Sequence, residues 1–283
     1  MRPASIGLSV IPLTKVFGGM DLLTQNLTRL LPDWNRAALA WIGFYTAVLL
    51  AWVAVLMMAR QNLASDMPPG FWSSLCIAAG QASFGPLVAM WGLMALAMML
   101  PTFVPALRCF IDISQTGATN AVGAFALVAG YVVVWLGAAV AGAGAQFALS
   151  KAGLIGLNGA SVSGWLTAGL LFGAGAYQFS HMKEACLAKC RMPLSFFMER
   201  WAPGVPHAAR MGLELGILCL GCCWALMALG FIGGTMNLLW MGAATLFMTL
   251  EKLPDIGRWL TRPVGYALIS AGAFVAAQTF ITG

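Results

Sequence analysis

The stretch from residue 211 to 232, MGLELGILCLGCCWALMALGFI, contains one charged side chain, Glu214, and is otherwise unbroken apolar sequence. As an α-helix rising about 1.5 Å per residue, it is long enough to cross a hydrocarbon core of roughly 30 Å. Three thiols, Cys219, Cys222 and Cys223, fall within five residues near its middle. Such a run predicts a membrane-spanning helix that carries an unusual density of sulfur.

Comparable runs occur at about 39–59, 86–105, 121–147, 162–179, 236–250 and 264–281, making seven in all. The composition agrees, with 60% hydrophobic residues, 8% charged residues and a mean hydropathy of +0.85. A soluble fold of this length has too little interior for so much apolar surface. The expected architecture is therefore all-α: a polytopic transmembrane helix bundle of about seven spans, formed by residues 39–283. The sixth run is the shortest, and only GGTMN (residues 233–237) separates it from the fifth. Paired glycines and an asparagine suit the positive backbone angles of a tight reversal.

The fifteen Lys and Arg residues set the orientation. With a cytoplasmic N-terminus, thirteen of them fall on the inner side and only Arg60 and Lys151 on the outer side. This bias follows the positive-inside rule over seven crossings, places the C-terminus outside and predicts a bacterial inner membrane. The net charge of +6 is thus largely topological, and no separate basic domain offers a surface for nucleic acid. In residues 1–38, Phe17, Met20, Leu23, Leu27 and Leu30 recur at helical spacing. An amphipathic segment lying on the cytoplasmic membrane surface is expected there.

Small residues mark where helices approach closely in lipid. Gly169 and Gly173, Gly212 and Gly216, and GAAVAGAGA from Gly137 to Ala145 provide three such faces. The phosphate-loop, H-E-x-x-H and G-x-S-x-G patterns are absent from the sequence, so the common soluble enzyme classes lose support.

The chemistry-bearing residues are mainly sulfur. On a helix, Cys219 neighbours Cys222 and Cys223 on one face, a spacing that can present thiolates to a metal. In the second run, Met90, Met94 and Met98 form a stripe with Met99 beside it. Thioethers and thiolates together favour soft ions such as Cu(I) over magnesium or calcium. A third group follows the fourth run, where Cys186 and Cys190 lie four apart, His181 precedes them, and Lys183, Lys189 and Arg191 surround them. Nearby cations are expected to lower these thiol pKa values, and the set could serve as a cytoplasmic access point for metal. Glu214 lies four residues after Arg210, a spacing that suits an ion pair at the membrane surface.

The segments MWGLMALAMMLPTFVP, YQFSHMKEACLAKCRMPLSFF and MGLELGILCLGCCWALMALGFIGGTMNLLWM followed by LEKL resemble an uncharacterised bacterial family described as predicted metal-binding integral membrane proteins. The resemblance covers about residues 86–253. It implies metal ligation by Met90, Met94, Met98, Met99, Cys186, Cys190, Cys219, Cys222 and Cys223. Here the chain has Leu215 where the family often has histidine, Leu218 where it has tyrosine, and His181 where it has proline.

Two functions of different class are expected from these features. The leading one is binding or movement of a soft metal, with copper as the expected cofactor. The alternative is a non-catalytic accessory subunit of a larger membrane complex, such as an oxidase, monooxygenase or photosynthetic assembly. Glycine-rich faces and the lack of a carboxylate relay favour that second role, whose partners are other membrane subunits.

Overall fold

A computed structural model describes residues 32–63, 84–114, 121–156, 158–235 and 237–282. Of the amphipathic segment expected over residues 1–38, residues 1–31 lie outside the described residues. The helices are α1 (Pro32–Leu63), α2 (Phe84–Ser114), α3 (Ala121–Lys151), α4 (Gly164–Tyr177), α5 (His181–Arg191), α6 (Pro193–Arg200), α7 (Val205–Ala228), α8 (Gly230–Gly233), α9 (Leu238–Glu251) and α10 (Pro254–Thr282). Among the described residues, the only β pairing is an isolated bridge between Ile155 and Ser161.

Two compact units are distinguished, residues 1–47 and 48–283. Within the first, α1 runs unbroken through residue 38, and Trp41 stacks on Tyr45 with ring centroids 5.8 Å apart. Within the second lie the helices that form the core and every sulfur group considered below.

Among the described residues, five helices are long and apolar enough to cross a membrane: Trp41–Met58, Phe84–Ser114, Val122–Lys151, Val205–Gly233 and Trp259–Thr282. The fourth and sixth apolar runs form α4 and α9, each of 14 residues. At about 21 Å, neither reaches across a full hydrocarbon core by itself. The short α9 has a local cause. Gly234 turns the chain at φ 90°, and the Asn237 side chain caps the new helix by accepting from the Leu239 and Trp240 amides. The helix stops after Glu251, just before Pro254 opens α10.

An extensive and close helix contact joins α3 to α7. Gly212 lies against the Leu127 carbonyl, Gly130 against the Ala209 carbonyl, and Gly216 against Val134. Any larger side chain at Gly130 or Gly212 would meet backbone rather than a movable side chain. The expected small-residue face at 212 and 216 is therefore realised. The other pair is not, since a Cβ at Gly169 or Gly173 would meet nothing within 4 Å. In α4 it is Gly175 that makes the close approach, against Ile269 and the Gly265 carbonyl of α10. Trp91 of α2 covers Gly142 of α3, and its indole N–H donates to buried Gln146 at 2.7 Å.

Candidate metal centre

Cys219, Cys222 and Cys223 are buried on one face of α7, and their sulfurs all lie within 4.8 Å of one another. The Cys222 and Cys223 thiols each donate to the Cys219 carbonyl at 3.0 Å. These bonds use the i+3 and i+4 geometry of the helix, so the local fold itself folds the thiols inward. A metal–thiolate bond of about 2.3 Å places two sulfurs on opposite sides of one ion about 4.6 Å apart. The cluster thus has nearly the span needed to share an ion, and its donors are soft.

Cys219 is joined directly to α3 and to the end of α9, and through them to α2. Lys252, the residue capping the C-terminus of α9, points its Nζ at Cys219 Sγ from 3.1 Å and donates to Thr102 Oγ1 at 2.8 Å. Tyr131 of α3 places its hydroxyl 3.2 Å from Cys219 Sγ and 3.2 Å from the Met99 carbonyl. One phenol proton cannot serve both acceptors at once. When it goes to Met99, the Cys219 thiol can donate to the phenol oxygen; when Cys219 is a thiolate or metal-bound, Tyr131 can donate to sulfur. Phe103 stacks on Tyr131 with centroids 4.1 Å apart and fixes its ring. Because α9 is short, its terminal lysine reaches a cysteine at the middle of the Val205–Gly233 span, and the cation offsets negative charge at the sulfurs.

A second helix closes over the cluster. α5 packs on α7, with Cys186 Sγ facing Gly221 and Cys190 near Cys222. Two contacts pin α5 to the end of α9. Buried Lys183 pairs with buried Glu251 at 2.9 Å, and Arg191 Nε donates to the Glu251 carbonyl at 3.0 Å. Tyr177 adds a hydrogen bond to the Gly221 carbonyl.

This arrangement corrects two expectations about the third group. The basic residues do not activate the Cys186 thiol. Lys183 is committed to Glu251 and Lys189 to Glu199 at 2.5 Å, and burial pushes the Cys186 thiol above its ordinary value. His181 does not join the cysteines either. It is exposed at the first turn of α5, nine residues before Cys190, which places the two on opposite sides of the helix. The other histidine, His207, is also exposed, and Leu215 is buried one turn before Cys219. Tyr131 and Lys252 are the polar side chains that stand beside Cys219 Sγ.

The methionine stripe is buried, but its members have different surroundings. Met99 presents its carbonyl to Tyr131 and Thr102. Met94 and Met98 instead line a cavity of about 20 Å³ with Leu226 and Met227 of α7 and Met241 of α9. Leu226 is four residues beyond Cys222, so the cavity begins about one helical turn past the thiols. Met90 is buried elsewhere on α2. Glu214 accepts from Arg200 at 2.6 Å and from Arg210 at 3.3 Å, joining α6 to the start of α7.

Lys252, Tyr131 and Glu251 were not among the sequence candidates for metal chemistry. A signal for Lys252 was present in the sixth run, which is too short to carry its terminal charge fully out of the bundle. A phenol in the middle of the third run was a similar sign. The partnership between Lys183 and Glu251 spans 68 residues and had no local signature.

A family model, PpoB2, described as copper chaperone, matches residues 88–275. That range contains the cysteine cluster, the methionine stripe, Tyr131 and Lys252. No curated protein and no solved structure matches the chain.

Proposed function

The chain belongs to the copper-chaperone family matched over residues 88–275, and from that premise we propose that it carries Cu(I) on Cys219, Cys222 and Cys223 within a bacterial inner membrane. Copper is its cargo, taken up at the basic end of the bundle and passed to a membrane-embedded copper protein. The observation that carries this reading is the set of three buried sulfurs within 4.8 Å, with Lys252 Nζ 3.1 Å from one of them.

The donor chemistry supports the oxidation state. Buried thiolates favour a soft ion, and a low-dielectric site favours a small net charge. Two thiolates, one Cu(I) and the Lys252 ammonium sum to zero. The third cysteine and Cys190 then provide incoming sulfurs through which the ion can change partners without meeting water. The proposed orientation, with α5 and α6 at the cytoplasmic face, is supported by Lys183, Lys189 and Arg191 on α5 and Arg200 on α6.

Copper analysis of the purified full chain tests the reading. After loading with Cu(I) under reducing conditions, the wild type is expected to retain copper through desalting. The C219S/C222S/C223S variant should lose it while eluting as the wild type does. Equal copper in both proteins would overturn the assignment.

A further inference from the structure

The cavity beyond the thiols has a lining of an unusual kind. Met94 and Met98 from α2, Met227 from α7 and Met241 from α9 converge on it, and the indoles of Trp91 and Trp240 complete its sides. Its volume of about 20 Å³ is room for a single small species, on the scale of one water. Thr235 also lines it, is 1% exposed, and has no hydrogen-bond partner for its Oγ1 among the described residues. Trp240 Nε1 is likewise without a partner there.

Ordinary core packing explains one methionine well and explains four around a common void poorly, because methionine is flexible enough to fill such a gap. The donors here are all neutral. Thioether sulfur binds soft ions, and indole faces attract cations. With no carboxylate or thiolate in the lining, an ion in this cavity keeps its full charge. The cost of that charge in a low-dielectric interior rises steeply from a monovalent to a divalent ion. The lining therefore suits a monovalent soft cation and disfavours zinc, calcium and magnesium.

We propose that this cavity is a second, thioether-only station for Cu(I), separate from the cysteine cluster and about one helical turn beyond it along α7. The inference rests on the soft-metal reading of the chain. The two stations differ in the charge of their donors: thiolates beside Lys252 at one, neutral sulfur and indole at the other. An ion leaving the thiols along α7 meets methionine before it meets lipid or water.

Silver(I), a redox-inert soft monovalent ion, is the probe. The purified full chain is titrated with silver while total bound metal, thiolate-to-metal ultraviolet absorption and tryptophan fluorescence are recorded. The wild type should show thiolate absorption and, separately, partial tryptophan quenching from the ion beside Trp91 and Trp240. M94L/M98L and M227L/M241L, which keep side-chain volume nearly constant, should each bind one fewer ion and lose the quenching while keeping the thiolate band. The C219S/C222S/C223S variant should lose that cluster's thiolate absorption and keep the quenching. Exchange of the exposed methionines in M57L/M198L should change nothing.

Quenching absent from the wild type overturns the second station. So does quenching lost with the cysteines, or stoichiometry and quenching unchanged in a methionine pair that elutes as the wild type does. Loss of the thiolate band alone, with quenching intact in the wild type, would instead count against the cysteine site and leave the methionine station standing.

Discussion

Lys252 Nζ and Cys219 Sγ lie 3.1 Å apart, although one residue ends a short helix and the other sits at the midpoint of a long one. Replacing Lys252 with methionine keeps most of the stem and removes the charge. A hydrogen bond involving a charged group is worth about 1.5–3 kcal/mol, which corresponds to roughly tenfold to a hundredfold in affinity. K252M is expected to weaken Cu(I) binding by that factor in competition with a chromogenic Cu(I) chelator. K189M, which removes a charge already paired with exposed Glu199, should leave affinity unchanged.

Lys183 and Glu251 test a different property, the attachment of α5 to the end of α9. Both side chains are almost completely buried, 1% and 2% exposed. Removing one partner from such a pair leaves an uncompensated charge and typically costs about 3–5 kcal/mol, whereas replacing both can be nearly neutral. K183M should therefore lower the thermal midpoint of the purified protein markedly, and K183M/E251L should recover much of the loss. Equal destabilisation by the single and double variants would show that the pair is not the unit holding these helices.

How much of this was legible depended on the range of the interaction. Apolar runs, the Gly212 and Gly216 face and the Asn237 turn depend on local sequence, and each has its counterpart in the fold. Cys219, Cys222 and Cys223 were legible because helix spacing alone puts them together. Lys252 and Tyr131 were not, since their approach to Cys219 depends on where α9 stops and how α3 crosses α7. The methionine stripe was only half legible. Periodicity identified Met94 and Met98, but Met227 and Met241 complete the lining only through tertiary packing.

Cys186 offers a pH-dependent prediction. Burial holds its thiol above the ordinary value of 9.0, so at neutral pH the folded chain has less thiolate there than the unfolded chain. Alkylation by a maleimide, followed by peptide mass spectrometry, should be slower at Cys186 than for an unfolded control at neutral pH. The rate should climb as pH rises past the ordinary value. In linkage terms the shift leaves stability unchanged below that value, where both states are protonated, and lowers it as pH rises further. A rate already at its plateau at neutral pH would contradict the burial of this thiol.

Gly212 and Gly169 make the last comparison, because the sequence presents both as small-residue contacts and the packing treats them oppositely. At Gly212 a Cβ would collide with the Leu127 carbonyl, which belongs to backbone and cannot rotate away. G212A should force α3 and α7 apart at a cost of about 1–3 kcal/mol or more. Because Cys219 lies two turns further along α7 and meets Tyr131 of α3 across the same interface, copper retention should fall together with thermal stability. At Gly169 and Gly173 the added methyl groups would meet nothing within 4 Å, so the helix should gain slightly from replacing glycine. G169A/G173A is expected to melt at or slightly above the wild-type temperature and to retain copper fully. A destabilised G169A/G173A protein would mean that this open face is occupied by a partner, and co-purification after mild solubilisation would identify it.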